Sequence, residues 1–140
     1  MGAALKDSMS VMDVKYNEVL AYRSKIEKAS TEAGYTLISP PTDGGLEFSP
    51  YIINICVKPV PSEVFLRVMA DKGFCLSAGS ACSSNSRGKA ESVLTAMGID
   101  HSRRMSSIRI SMGSGTSETE VELLCKALKE AAKELGINRS

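Results

Sequence analysis

The stretch Tyr51-Ile52-Ile53-Asn54-Ile55-Cys56-Val57 decides the fold. Its β-branched residues favour an extended backbone, and apolar side chains fall on both of its alternating faces. Such a strand is expected at the centre of a sheet, covered on both sides by helices, or on one side by another domain. Pro59 and Pro61 end it. Just upstream, residues 40–50 hold three prolines, two glycines and Asp43, the composition of a loop. Before that loop a short strand is expected at residues 35–39. The chain opens with a long helix, in which Leu5, Met9, Met12, Tyr16, Val19, Leu20 and Ile26 recur at three- and four-residue steps. Gly34 is its natural stop, and its start is left open.

Downstream, Ser62-Glu63 opens a helix with Val64, Phe65, Val68 and Met69 as its apolar stripe, closed by Gly73. Residues 74–77 read as a brief strand. Residues 78–88 are nearly all small and cannot build a core. A short helix is expected at residues 90–97, closed by Gly98. Residues 107–112 alternate as a strand does, with Ile108 and Ile110 on one face and Ser107, Arg109 and Ser111 on the other. The last helix is the clearest element. Ser117 and Glu120 form a capping box, Val121, Leu124, Cys125, Leu128, Ala131, Ala132 and Leu135 make one face, and Gly136 stops it. The expected fold is α/β of the α+β kind: one domain over residues 1–140, with a mixed or antiparallel sheet of three to four strands covered by helices.

Composition fits a single folded domain. Of 140 residues, 43% are hydrophobic and 24% charged, which excludes disordered, collagen-like and disulfide-rich classes. A net charge of +1 gives no bulk case for nucleic acid or an anionic membrane. No apolar run approaches the ~20 residues of a membrane span, and the first residues are too polar for a secretory signal. Four cysteines at positions 56, 75, 82 and 125 form no CxxC pair, and His101 is the one histidine. This argues against zinc and for free thiols in a cytoplasmic protein.

Three features carry possible chemistry. Cys82 lies among small residues that shield it little, with Arg87 and Lys89 close in sequence to favour a thiolate. The competing reading is a surface loop that happens to hold a cysteine. Arg109, mid-strand between two isoleucines, suits a carboxylate clamp or simply the wet face of a strand. Met112-Gly113-Ser114-Gly115-Thr116 before the last helix is either an anion cradle or a turn leading into a cap. Cys56, Cys75 and Cys125 read as small buried hydrophobes. A Cys82–His101 pair is conceivable, but His101 sits in a basic turn and nothing in the sequence orients it.

The run Leu76-Ser77-Ala78-Gly79-Ser80-Ala81-Cys82-Ser83-Ser84 resembles the active-cysteine loop of group I cysteine desulfurases, whose usual core is Ser-Ser-Gly-Ser-Ala-Cys. Residues 92–98 resemble the helix that follows that loop, and Ser107-Ile108-Arg109-Ile110-Ser111-Met112-Gly113 resembles the family's arginine strand. Tyr51-Ile52-Ile53-Asn54-Ile55 is similar to the strand before the loop. The resemblance spans roughly residues 15–136 with the motifs in order. It implies the small C-terminal domain of a fold-type I, class V aminotransferase-like enzyme that depends on pyridoxal phosphate. It implies that Cys82 takes sulfur from L-cysteine as a persulfide, leaving alanine, and that Arg109 holds the substrate carboxylate. It also implies a homodimeric parent and a sulfur acceptor or iron–sulfur scaffold protein as partner. The family's His-Lys pair, which carries the cofactor, does not occur in this sequence. The expectation is therefore a domain without its large cofactor-binding partner, and poor turnover by this chain alone. A stand-alone persulfide carrier or interaction module is the alternative.

Overall fold

The computed structural model describes residues 2–40, 42, 48–79 and 93–137, with the backbone alone described for residues 2–13. Four strands form one sheet: β1 (Thr36–Leu37), β2 (Ile52–Cys56), β3 (Ser77–Ala78) and β4 (Ser107–Ser111). Their order is β1-β2-β4-β3 and every neighbour is antiparallel. The register sets Ile53 opposite Ile110 and Ile55 opposite Ile108, so four isoleucines share one face and all are essentially inaccessible. Three helices cover that face: α1 (Gly2–Glu32), α2 (Ser62–Asp71) and α5 (Glu118–Glu134). Ile26 of α1, Phe65 and Met69 of α2, and Val121 and Leu128 of α5 fill the space between. Tyr35 meets Phe65 edge to face at 5.5 Å and donates its hydroxyl to the Leu128 carbonyl at 2.8 Å. Burial pushes the Tyr35 phenol well above its ordinary titration range.

The opposite face bears Ile52, Asn54 and Cys56 on β2 and Ser107, Arg109 and Ser111 on β4. Here the expectation of a doubly covered strand holds at one end only. Leu94 of the short helix α3 (Val93–Ala96) packs with Ile38 over Cys56, whereas Ile52 remains 43% exposed. Among the described residues, Ile52 on this face and Val14 and Tyr16 on the first helix are exposed apolar side chains. Next to Tyr16 on that helix, Val19 is buried and Leu20 half-buried.

Two local differences from the sequence reading have clear causes. Residues 74–76 do not join the sheet, and β3 is confined to Ser77 and Ala78. The N–H groups of Gly73 and Phe74 are spent on the carbonyls of Ala70 and Met69, closing α2 with Gly73 at φ 87°. The basic turn is a short helix, α4 (His101–Met105), because the Asp100 carboxylate accepts from the Arg103 N–H at 3.0 Å. No helix among the described residues is long and apolar enough to cross a membrane.

One buried charge joins the long helix to the sheet. Arg23 is 1% exposed. Its Nε donates to Glu27 at 2.7 Å, its Nη1 to the carbonyls of Ile52 (2.7 Å) and Ser49 (3.2 Å), and its Nη2 to that of Pro40 (2.7 Å). The ring of Phe48 lies 4.3 Å from the guanidinium carbon. Glu27 uses its other oxygen to accept from the Thr42 N–H and hydroxyl. A planar group with five fixed donors suits this work and an ammonium would not.

Arg23→Ala is expected to cost about 3–5 kcal/mol in urea unfolding, since it strands Glu27 and three carbonyls. Ser117→Ala is expected to cost about 1 kcal/mol, because the Ser117 hydroxyl caps α5. Ser117 also holds the Glu120 carboxyl below its ordinary value of 4.5 through its N–H and hydroxyl. The stabilisation from that contact is complete above 4.5 and is lost as pH falls further, which backbone amide chemical shifts of the first turn of α5 would follow.

Candidate active-site face

Arg109 stands where strand alternation puts it. Ile108 and Ile110 point into the core, so its side chain emerges on the bare face, exposed. The register gives it Asn54 on one side and Ser77 on the other. Both neighbours are half-buried, short and uncharged. Among the described residues no carboxylate pairs with Arg109. A guanidinium with small polar neighbours and no counter-ion among the described residues can take a carboxylate through two parallel hydrogen bonds.

Cys82 lies outside the described residues, as do Arg87 and Lys89. The chain that leads to it is described as far as Gly79. Ser77 is the cross-strand partner of Arg109, and Ala78 that of Ile108. Cys82 follows Ala78 by four residues, which span at most about 14 Å.

The other thiols divide. Cys56 is buried under Leu94, as expected. Cys125 is half-buried and its thiol is pushed up by desolvation. Cys75 corrects the expectation of a buried thiol: it is exposed. Where residues 74–76 part from β4, a cleft of about 810 Å³ opens between them and α5, and Cys75, Met112 and Leu123 line it. His101 is exposed at the first position of α4. The loop of residues 112–116 closes on itself, with the Gly113 N–H donating to Thr116 Oγ1 at 2.9 Å and the Thr116 N–H to the Gly113 carbonyl at 3.1 Å. The Ser117 and Glu120 capping box then occupies the start of α5, so turn and cap account for the loop.

Sequence reasoning missed Asn54 and Ser77 as neighbours of Arg109. One signal for Asn54 was present, as it is the single amide in an otherwise apolar strand. Nothing local marks Ser77, whose place depends on the register of a two-residue strand.

No family model matches the chain. Among curated proteins it is 30% identical over 136 residues to the cysteine desulfurase IscS of Vibrio campbellii, covering 96% of this chain and 32% of that protein. It is 31% identical over 134 residues to the putative cysteine desulfurase IscS 1 of Bacillus subtilis, covering 94% and 34%. With the mitochondrial cysteine desulfurase of Candida maltosa the identity is 35% over 114 residues, covering 77% and 23%. Among solved structures, a NifS-like protein superposes with a TM-score of 0.73 at 19% identity, over 96% of this chain and 32% of its own. A second, from Rickettsia africae, gives 0.69 at 18%, over 89% and 31%. The chain spans about a third of the length of the relatives it matches. In sequence and in fold, it matches the C-terminal portion of a cysteine desulfurase.

Proposed function

We propose that this chain is the sulfur-accepting domain of a cytoplasmic cysteine desulfurase dependent on pyridoxal phosphate. Cys82 receives the sulfur of L-cysteine as a persulfide and alanine is released. The observation that carries this reading is Arg109: an exposed guanidinium with no counter-ion among the described residues, on a partly bare sheet face, beside the strand that leads to Cys82. Arg109 binds the substrate carboxylate and so orients the rest of the amino acid. The Cys82 thiolate attacks the substrate sulfur. A sulfur–sulfur bond forms, the carbon–sulfur bond breaks, and its electron pair stays with carbon, which takes up a proton.

The described residues do not fit the cofactor itself. Around Arg109 stand Asn54, Ser77 and Ser111, and none can form a Schiff base. Nor does the sequence hold a His-Lys pair. The cofactor belongs to a large domain outside this chain, and the share of this chain is to hold the carboxylate and accept the sulfur. Exposed Ile52 on this face is consistent with a surface that such a domain covers. In this reading the parent is a homodimer, and the persulfide passes to an acceptor or iron–sulfur scaffold protein. A stand-alone persulfide carrier is the less favoured alternative, because the chain aligns with enzymes over nearly its whole length.

The test is alanine production from L-cysteine with pyridoxal phosphate, by this chain alone and when fused in place of the matching third of a related IscS. The chain alone is expected to form no alanine above the cofactor control. The fusion is expected to form alanine and protein-bound persulfide, both lost in Cys82→Ala. Alanine from the chain alone, abolished by Cys82→Ala, would overturn the division of labour between two domains. In the active fusion, Arg109→Lys is expected to raise KM for cysteine about 30-fold with a smaller effect on kcat, since a bidentate charged contact is worth roughly 2 kcal/mol.

A further inference from the structure

Strand β4 lies between β2 and β3, and its residues alternate in which neighbour they bond. The Val57 N–H donates to Ser106 and the Met112 N–H to Tyr51, so even-numbered residues of β4 bond toward β2. The Gly79 N–H donates to the Ser107 carbonyl at 2.8 Å, so Ser107, Arg109 and Ser111 turn their N–H and C=O groups toward β3. Gly79 and Ser77 stand opposite the first two. The same register would set Cys75 opposite Ser111, but residues 74–76 do not join the sheet. Among the described residues no hydrogen bond reaches the Ser111 main chain. This open edge borders the cleft of about 810 Å³, which buried Ile110, Val121 and Leu124 line together with exposed Leu123. Lys72 joins the two walls, reaching Glu134 of α5 at 3.1 Å. Gly113 lines the same cleft, its φ is not positive, and a Cβ there would meet nothing within 4 Å. Neither conformation nor packing among the described residues calls for glycine, and a bare Cα beside a strand edge leaves room for a second backbone. A free donor and acceptor on one extended residue, beside an apolar cleft, match an extended chain. Its main chain answers both groups while alternate side chains enter the cleft.

We propose that the Ser111 edge and its cleft receive an extended segment from the part of the parent enzyme that lies outside this chain. This rests on the reading that a large domain accompanies the chain. The chain covers 32% of the Vibrio campbellii relative, so ample further polypeptide exists to supply such a segment. One open residue offers two hydrogen bonds, and the cleft takes few side chains. That is too little to hold a free peptide or a second copy firmly, once the freedom lost on association is counted. A segment of the same polypeptide arrives at high effective concentration and needs no more than this. It takes the place opposite Ser111 that Cys75 leaves vacant, and it covers Cys75 and Leu123.

The test compares amide hydrogen exchange, resolved to single residues by mass spectrometry, in the full chain alone and in its fusion to the remainder of a related IscS. In the chain alone, the Ser111 amide is expected to exchange about tenfold or more faster than those of Ile110 and Met112, which β2 holds. In the fusion it is expected to slow about tenfold, and alkylation of Cys75 about fivefold. Gly113→Val and Leu123→Lys are expected to leave the melting temperature of the chain alone unchanged and to return Ser111 in the fusion to within about twofold of its rate in the chain alone. Slow exchange of Ser111 in the chain alone, whether a second copy or another part of this chain covers it, overturns the proposal. So does a fusion in which Ser111 exchanges as in the chain alone, or a slowing that survives both variants. If the fusion does not fold, overlapping 12-residue peptides covering the remainder of that IscS, at about millimolar concentration, decide. At least one is expected to shift the Ser111 amide resonance of the chain, and no shift overturns the proposal. Alanine formation by the fusion is measured in parallel. Protection of Ser111 without alanine would sink the functional reading and leave the docking standing, and alanine without protection would do the reverse.

Discussion

The placement of the sheet against its longest helix depends on the buried guanidinium of Arg23. Its donors reach carbonyls at Pro40, Ser49 and Ile52, which flank the proline-rich loop, and the Glu27 carboxylate beside it holds Thr42. Loops of this composition have no ladder to fix them, and their backbone groups need partners when they pack inside a protein. Here one side chain satisfies three of those groups and brings the first residue of β2 to a set distance from α1. The register of β2 and β3 with β4 then sets the row of Asn54, Arg109 and Ser77.

The consequence is a sheet with unequal faces. One face is closed by α1, α2 and α5 over four isoleucines. The other is closed only at its far end, where Leu94, Ile38 and Cys56 form a small separate cluster. Between them lies a strip that is apolar at Ile52 and cationic at Arg109. A strand buried on both faces would have left no room for a ligand, and one exposed along its whole length would not have held β3 in place. The partial cover leaves the same strand packed at Ile108 and Ile110 on one side and exposed at Arg109 on the other.

Much of this was legible in the sequence, and the reasons differ by element. The helix ends were readable because glycine at a positive φ, as at Gly34, and the Ser117 and Glu120 pair act locally. The alternation of residues 107–112 placed Arg109 correctly because a two-residue period survives any fold that buries one face. Arg23 was not readable, since its partners are backbone carbonyls that no side-chain pattern announces. The exposure of Cys75 was hidden for a related reason: the N–H of Phe74 goes to the end of α2, and the strand that would have buried the thiol never forms. Asp100 was a readable cap, overlooked beside a run of basic residues. Of the candidate site itself, the place of Arg109 on the open face was legible from alternation, whereas its register beside Asn54 and Ser77 exists only in three dimensions.

The outer strands β1 and β3 are each two residues long. A sheet edge that short presents almost no row of free amide and carbonyl groups for another chain to copy. Strand-to-strand polymerisation, the usual hazard of a small antiparallel domain with a partly bare face, thus finds little template at either margin. A partly open face is thus combined with margins that give copies of the chain little to stack along.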